Sequence, residues 1–534
     1  MRIPSSRTLF AMAMAATCTI AGAAGAVVSP TPLNEAELDA LAGRTMTTFQ
    51  VPGLALAVVK DGVVVHAKGY GVRELGKSGR VDADTLFGIA SNSKGFTAAA
   101  LALLVDRGTI KWEDKVTAHL PEFELYDPYV TREFTIRDLL THRSGLPLGA
   151  GDLLWWPNGQ FSPAEVLSGL KHLKPSASFR SEFSYNNMLY AVAGEIVARV
   201  SGSSWSEFIE TQLMAPLNMQ ACAGLRSRLK TPGITALNIS NPHAMVDGKQ
   251  VPMRVAGNDF ETGAAAAGVV CNVKDLAKWV QFHLAVGRTA DGSELLSPRQ
   301  HRSLWTAQTV LGVSATAILT NKVHLRAYGL GYFLEDYHGY LHVSHDGTLP
   351  GMVSYISMLP ELKLGVIVLT NQYDNNVTRA IASQIQMAYL GGENRDFVAQ
   401  AKLVSDKANA EATTIEQEIG TVLALAMPAP MPLAQYVGTY RDAWRGDVLV
   451  SEKNGQLRMK FSRTDRLEGS LQHYKNGVFV VRWDDRTMLA DAYVRFLQNN
   501  DGEVSAARME ALSPRTDFSF DFHNLELKKQ AQKN

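Results

Sequence analysis

Hydrophobic and polar positions repeat with different periods along the chain, and each change of period marks an element. Residues 34–50 have the apolar spacing of a short helix, and residues 53–71 form two β-branched runs around Asp61 and Gly62. Because an Asp-Gly pair accepts positive φ angles, these two runs predict a β-hairpin. The stretch 87–108 then becomes apolar with helical spacing and predicts a buried helix.

Helical patterns dominate residues 135–280, and extended patterns return at 340–346 and 351–372, before a last helix at about 378–389. The early and late strands have no partners unless they pair with each other, since buried backbone polar groups must be satisfied. The order therefore predicts an α+β fold. In this fold an antiparallel sheet is flanked by helices, and a helical region is inserted between its early and late strands.

From about residue 395 the pattern changes. Residues 396–426 are polar and Ala-rich, and "MPAPMPL" follows with three prolines, which is typical of a helical linker and a domain boundary. Beyond it, short alternating runs turn at Asn-Gly and Asp-Gly pairs, which predicts a small all-β antiparallel barrel or sandwich. We therefore predict a first domain over 27–395, a linker over 396–430 and a β-domain over 431–534.

The first 26 residues form a segment of a different kind. Arg2 and Arg7 precede an apolar run and small residues that end at Ala26, which is the pattern of a secretory signal peptide. The apolar run is too short for a transmembrane helix, and no later run is long enough to form one. We therefore expect a periplasmic or secreted protein cleaved after Ala26. Export would permit a disulfide between Cys222 and Cys271, although two buried thiols fit their apolar surroundings equally well.

Composition excludes several classes of function. The 534 residues include 52 Lys and Arg against 52 Asp and Glu, so no net charge favours nucleic acid or an acidic membrane. The sequence contains no glycine-rich nucleotide loop, no His-Glu-x-x-His and no Gly-x-Ser-x-Gly motif. His342 and His345 would point to opposite faces of a strand, which disfavours zinc. We therefore expect no cofactor, no metal and no nucleic-acid partner.

Ser91 and Lys94 are the first candidates for chemistry. Positions i and i+3 face each other on a helix, and a serine hydroxyl needs a base to become a nucleophile. Lysine can be that base if burial at a helix N-terminus lowers its pKa, and "GFTAAALALLV" supplies the burial. The spacing alone is a weak signal, because it recurs twice, for example at Ser168 and Lys171, where surface positions fit.

Two further motifs follow in chain order. Tyr185-x-Asn187 precedes another apolar helix, and His345-x-Gly347 lies on an extended run after the helical region. Taken singly, Tyr185 could be a core tyrosine, Asn187 a helix cap and His345 a structural strand histidine. The loop 153–161 carries two tryptophans that would either line a substrate cleft or pack in the core.

Together the Ser-x-x-Lys, Tyr-x-Asn and His-x-Gly motifs resemble those of the serine β-lactamase-related enzymes. The closest groups are class C β-lactamases, DD-peptidases, D-aminopeptidases and related esterases. The phrases "LLTHRSGLP" (139–147) and "HDGTLPG" (345–351) fit the same family, and the resemblance covers roughly residues 34–392. The tail from about residue 430 is similar to the lipocalin-like barrel appended to some of these hydrolases.

The resemblance implies a role for each catalytic residue. Ser91 would attack a carbonyl carbon and form an acyl-enzyme, and Lys94 would take its proton or hold the base in place. Tyr185 would pass the proton to the leaving group and later activate water. A tyrosine has an ordinary pKa near ~10, so it needs nearby cations to act at neutral pH, and Lys94 and His345 are the candidates to supply them.

The resemblance also implies a substrate-binding set. Asn187 would bind the substrate amide, and the N–H groups of Ser91 and Thr348 would form the oxyanion hole, with Gly347 allowing close approach. Efficient class C β-lactamases have a lysine where His345 stands, and a histidine is a weaker, pH-dependent anchor for a carboxylate. This difference disfavours strong β-lactamase activity.

We therefore predict an exported serine hydrolase that acts through an acyl-enzyme on Ser91. The main hypothesis is a peptidase or amidase for D-residue-containing or cell-wall-derived peptides. An esterase or a weak β-lactamase of the same fold is the first alternative. An inactive peptidoglycan- or penicillin-binding protein is the alternative outside enzymes, although such a protein has no need for both Lys94 and Tyr185.

Overall fold

The computed structural model describes residues 30–229, 238–254, 261–392 and 395–531. The predicted signal segment, residues 1–26, lies outside them. Across the described ranges, every helix is too short or too polar to cross a membrane. Two units follow each other along the chain, an α+β domain and a β-barrel, and a single long helix connects them.

Within the described residues, the first domain contains twelve strands and most of the helices. Its strands are β1 (Gly53–Lys60), β2 (Val63–Gly71), β3 (Phe87–Gly88), β4 (His243–Val246), β5 (Lys249–Pro252), β6 (Val270–Cys271), β7 (Thr309–Leu311), β8 (Arg326–Tyr328), β9 (Phe333–Tyr337), β10 (Tyr340–Leu349), β11 (Met352–Leu359) and β12 (Leu364–Thr370). Eight of them form one antiparallel sheet in the order β2-β1-β12-β11-β10-β9-β8-β7. The pairing of β1 with β12 confirms that the early and late strands share a sheet.

The helices lie on both faces of this sheet and in the region inserted between β3 and β7. They are α1 (Glu35–Phe49), α2 (Ser93–Asp106), α3 (Val116–His119), α4 (Pro128–Glu133), α5 (Ile136–Leu139), α6 (Pro163–Leu170), α7 (Met188–Ser201), α8 (Trp205–Ile209), α9 (Ala264–Ala267), α10 (Val273–Leu284), α11 (Pro298–Leu304), α12 (Ala315–Asn321), α13 (Asn375–Leu390) and α14 (Phe397–Ala424). This arrangement is the predicted α+β fold.

The central strands are buried on both sides, which explains their continuous apolar sequence. In β1, Leu54 and Leu56 join the cluster under α1 and α13, whereas Ala55 and Ala57 join the cluster under α2 and α10. This division follows the two-residue period of a strand. The small alanines lie on the face that α10 packs against, so this helix can lie close to β1.

Three strands that the sequence analysis missed lie in the main sheet, and the short strands β3–β6 outside it were missed as well. β7, β8 and β9 extend the sheet beyond β10 and are only three to five residues long. Runs of this length carry too few alternating positions for a clear period. Their position is important for the site, because Tyr328 in β8 and Phe333 in β9 lie beside His345 of β10.

The second unit is a closed barrel of eight antiparallel strands, which confirms the predicted barrel. Its strands are β13 (Gly438–Asp442), β14 (Gly446–Lys453), β15 (Gln456–Phe461), β16 (Glu468–Lys475), β17 (Val478–Trp483), β18 (Ala492–Gln498), β19 (Val504–Ala511) and β20 (Leu527–Lys529). β13 also pairs with β20, so the barrel has no free edge. The Asn-Gly turns at Asn454 and Asn476 have the positive φ angles expected of two-residue hairpins.

The barrel packs directly on the helical region of the first domain. One buried cluster includes Phe161 of the first domain together with Phe461 and Phe522 of the barrel. The Arg463 guanidinium lies 4.0 Å from the Phe161 ring centre, and it pairs with Glu165. The two tryptophans of loop 153–161 are buried and pack in the core, and Trp156 lies edge-on to Phe520 of the barrel unit. The α14 helix occupies most of the stretch predicted as a linker.

Candidate active site

Ser91 lies in a tight turn that leads into α2. The residue before it, Ala90, has φ of 50°, and the 3₁₀ turn Ala90–Asn92 delivers the chain to the helix at Ser93. A left-handed residue at this point bends the chain sharply between β3 and α2. The bend leaves Ser91 partly exposed and points Lys94, one turn later, into the core.

Lys94 is fully buried, and its Nζ makes three contacts. It lies 3.1 Å from Ser91 Oγ, 2.7 Å from Asn187 Oδ1 and 3.0 Å from the Ala266 carbonyl oxygen. Burial lowers the pKa of Lys94 to about 7, against the opposing pull of the Asp152 and Asp346 carboxylates. A substantial fraction of Lys94 is therefore a neutral amine near neutral pH, and it contacts the serine hydroxyl directly.

Tyr185 completes a cluster around the serine hydroxyl. Its phenol lies beside the Ser91 hydroxyl, and its ring centre lies 4.8 Å from Lys94 Nζ. Burial raises the pKa of Tyr185 well above its ordinary value, so the phenol keeps its proton in the free protein. Tyr185 can therefore act only as a proton relay, which donates its own phenolic proton and receives another in its place.

His345 on β10 is a neutral ring with both nitrogens in use. Its Nδ1 faces the Asp346 carbonyl oxygen, which can only accept, so Nδ1 carries the hydrogen and Nε2 accepts from Tyr328 at 3.2 Å. Burial lowers the pKa of His345 to about 4. Hence His345 supplies no positive charge at neutral pH, either to Tyr185 or to a substrate carboxylate.

Gly347 lies against the turn that carries the serine. A Cβ at this position would come 2.2 Å from the Ile89 carbonyl oxygen and 2.8 Å from the Ser91 nitrogen. Only glycine permits this approach of β10. The next residue, Thr348, is held by its hydroxyl, which donates to Asn375 Oδ1 at 3.0 Å. The backbone of residues 347–348 is thus fixed beside the Ser91 N–H.

Two buried residues beside the cluster were missed by the sequence analysis as functional positions. Asp152 accepts a 2.7 Å hydrogen bond from Asn187 Nδ2, and burial raises the pKa of Asp152 to about 7. His142 stacks on the Tyr185 ring with centres 4.1 Å apart. A single Asp or His in a loop carries no spacing signal, although His142 lies inside the "LLTHRSGLP" phrase that supported the resemblance.

Cys222 and Cys271 are joined to each other. Cys222 and Cys271 form a disulfide with Cα atoms 4.3 Å apart, which resolves the alternative left open by the sequence. Cys271 ends β6, which pairs with β3, and β3 leads into the Ser91 turn. The disulfide therefore secures the short sheet that supports the nucleophile turn.

Fold and site together define a class of protein. A partly exposed serine in contact with a buried lysine and a tyrosine phenol, on an α+β scaffold, is the arrangement of a serine hydrolase that acts through an acyl-enzyme. The family model described as "Beta-lactamase" matches residues 38–389, and the chain therefore belongs to the β-lactamase family. Residues 425–529, which contain the barrel, match a domain of unknown function, DUF3471.

Relatives and solved structures agree with this assignment. An unguisins hydrolase of Aspergillus campestris is 26% identical over 416 residues, which cover 74% of each chain. The octameric penicillin-binding protein homologue from Pyrococcus abyssi has a TM-score of 0.58 at 20% identity, covering 93% of this chain and all of that one. SurE with D-Leu has a TM-score of 0.52 at 18% identity, covering 92% of this chain and 98% of that one.

Proposed function

We propose that this protein is an exported amidase or peptidase that hydrolyses small peptides containing a D-residue through an acyl-enzyme on Ser91. The contact between the buried Lys94 amine and the Ser91 hydroxyl carries the proposal. The signal-peptide pattern of residues 1–26 supports export. The inactive alternative is disfavoured, because burying a lysine without a strong ion pair is costly and a binding protein gains nothing from it.

Acylation begins with the neutral form of Lys94. Its Nζ takes the proton from Ser91 Oγ as that oxygen bonds to the substrate carbonyl carbon. The carbonyl oxygen becomes an oxyanion, and the N–H groups of Ser91 and Thr348 are placed to donate to it. In related chemistry, removing one donor of this kind raises the activation barrier by about 3–4 kcal/mol.

Breakdown of the tetrahedral intermediate needs a proton on the leaving nitrogen. Tyr185 donates its phenolic proton to that nitrogen and receives one from the Lys94 ammonium, so no phenolate persists. The carbon–nitrogen bond breaks and leaves an ester on Ser91. Water then attacks the ester carbonyl carbon and gives a proton to the same Tyr185–Lys94 pair. When the second tetrahedral intermediate collapses, the pair returns this proton to Ser91 Oγ, and the carboxylic acid is released.

The site favours substrates that are uncharged beside the bond that breaks. His345 is neutral and both of its ring nitrogens are occupied, so this position provides no cationic anchor for the carboxylate of a β-lactam. Amides and esters do not need such an anchor. The names of two similar proteins support the proposed substrate class, because one is an unguisins hydrolase and the SurE structure contains D-Leu.

The first experiment labels the nucleophile. A fluorophosphonate probe and a labelled penicillin should modify the wild-type protein and not the Ser91→Ala variant. The matched control is Ser168→Ala, since Ser168 belongs to a second Ser-x-x-Lys pair whose lysine bonds to Glu124 instead. Labelling should survive in that control. Folded wild-type protein that is neither labelled nor active would contradict the proposal and favour the binding protein.

The substrate class is tested with a panel measured side by side. It contains D-Ala-D-Ala peptides, D-amino acid amides, their L-counterparts, p-nitrophenyl esters and a β-lactam. We expect the highest kcat/KM for the D-amino acid amides, a lower value for the D-Ala-D-Ala peptides, whose carboxylate lies beside the bond that breaks, and slow turnover of the β-lactam. Equal rates on D- and L-amides, or turnover of esters alone, would replace the peptidase assignment with the esterase one.

A further inference from the structure

A segment of the barrel reaches the active site of the first domain. Residues 513–522 follow β19, and their side chains contact the loops that surround Ser91 and Tyr185. We infer that Ser519 is a positioning residue for catalysis, which acts on Lys94 through Asp152 and Asn187. This inference rests on the proposed function, because it assigns Lys94 the role of the base.

A continuous set of hydrogen bonds connects the barrel to the base. The Ser519 hydroxyl donates to Asp152 Oδ2 at 2.7 Å, and the same oxygen accepts from Asn187 Nδ2 at 2.7 Å. The other end of the Asn187 amide, Oδ1, accepts from Lys94 Nζ at 2.7 Å. All four side chains are buried, so water does not replace any of these partners at low cost.

The arrangement fixes which way the Asn187 amide points. An amide offers a donor at one end and an acceptor at the other. Because Asp152 can only accept when ionised, it takes the Nδ2 end and leaves Oδ1 for the lysine. Ser519 holds the carboxylate in the orientation that this requires. Among the described residues, Trp155 also donates to this carboxylate, at 3.4 Å to Oδ1.

The backbone around Asp152 is held by the same barrel segment. Asp521 accepts from the Gly151 N–H at 2.8 Å and from the Leu153 N–H at 3.2 Å, on either side of Asp152. Phe518 also packs edge-on against the Tyr185 ring, with centres 5.9 Å apart. The barrel therefore supports both the loop that carries the carboxylate and the catalytic tyrosine.

The hydrogen bond from Ser519 also affects charge. Burial raises the pKa of Asp152 to about 7, and the hydrogen bonds from Ser519 and Asn187 oppose that rise. The Asp152 charge in turn raises the pKa of Lys94. Besides each other, these two groups face the following titratable or charged side chains: Asp346, Asp521, Tyr185, Tyr190, His142 and His345.

Loss of the Ser519 hydroxyl should therefore change the pH dependence of the reaction. Without this donor, Asp152 stays protonated to a higher pH, and Lys94 loses its counter-charge and becomes neutral at a lower pH. The acid limb of the pH profile, where kcat/KM falls as the pH is lowered, reflects the titration of the Lys94–Asp152 pair as a unit. In Ser519→Ala we expect this limb to move to lower pH by about one unit, with a plateau lowered about tenfold.

The experiment uses the full chain and three comparison variants. Ser451→Ala, on the exposed side of β14, is the matched control and should leave the pH profile unchanged. Ser519→Thr keeps the hydroxyl and should restore the wild-type limb. If Ser519→Ala fails to fold, Ser519→Cys replaces it, because a thiol has nearly the same shape but donates weakly.

A double-mutant cycle separates positioning from general packing. Asp152→Asn removes the charge through which Ser519 acts, so its acid limb should also move down. Adding Ser519→Ala to Asp152→Asn should then move the limb no further. An additive shift in the double variant, or an unshifted limb in Ser519→Ala, would overturn the inference. Neither result affects the proposed function, which is tested separately by the acylation of Ser91 in the wild-type protein and by the substrate panel.

Discussion

Gly347 provides the sharpest test of how the oxyanion hole is built. Replacing it with alanine adds one methyl group between β10 and the turn that carries Ser91. The new Cβ would lie 2.2 Å from the Ile89 carbonyl oxygen, whereas ordinary contacts begin at 3.4 Å. That oxygen belongs to the backbone, so no side-chain rotation relieves the contact, and the strand and the turn must separate by about 1 Å.

The cost of this separation follows from what the two segments carry. The Ser91 N–H lies on the turn and the Thr348 N–H lies on the strand, so moving them apart misplaces at least one donor. A loss of this kind lowers acylation by about 10²–10³-fold, or about 3–4 kcal/mol in the barrier. The same overpacking should lower the free energy of unfolding by about 1–3 kcal/mol, which is too little to unfold the protein.

Acylation of Ser91 by an active ester, followed by stopped flow, measures the first effect. Thermal unfolding measures the second. Gly312→Ala is the matched control, since a Cβ at Gly312 would meet no atom within 4 Å. We expect Gly312→Ala to acylate at the wild-type rate. The reasoning is refuted if Gly347→Ala is folded and acylates within about threefold of wild type, because the hole would then lie elsewhere.

Two further predictions concern the base and the disulfide. Because Lys94 must be neutral to accept a proton, kcat/KM should rise tenfold per pH unit below about 7 and level off above it. If kcat/KM instead kept rising until about pH 10, the ordinary pKa of a lysine, the buried Lys94 with a lowered pKa would be excluded as the base. Replacing Cys222 and Cys271 with alanine should lower the free energy of unfolding by about 2–4 kcal/mol, measured in urea under oxidising conditions. Reductant should abolish that difference, and a wild-type midpoint unmoved by reductant would contradict the prediction.

The sequence predicted those parts of the fold that local patterns determine. The Asp61-Gly62 hairpin and the Asn-Gly turns of the barrel appear where expected, because positive φ angles restrict which residues fit there. The helix after Asn34 begins with a capping box that includes Glu37. Strands β7–β9 could not be predicted, since strands of this length take their shape from the neighbouring strand rather than from their own pattern.

The candidate site likewise contains residues that sequence motifs identify and residues that they do not. Ser91, Lys94, Tyr185 and Asn187 stand in motifs with fixed spacing. In the structure, Lys94 is hydrogen-bonded to Ser91 and Asn187, and its Nζ lies over the Tyr185 ring. The neutrality of His345 was not predictable, because it depends on burial and on Tyr328 from a strand without a sequence signal. Nor could the role of Ser519 be predicted, since a serine in a loop belongs to no motif and its role depends on which residues lie beside it in the folded protein.

The hydrogen bond between Ser519 and Asp152 joins positions 367 residues apart. During synthesis the first domain emerges and can fold long before residue 519 leaves the ribosome. In this interval Ser91 can already lie beside Lys94, but the Asp152 carboxylate that orients Asn187 lacks the hydrogen bond from Ser519. Full activity should therefore appear late in translation, and a chain that stops short of the final barrel strands would be a folded but poorly working hydrolase.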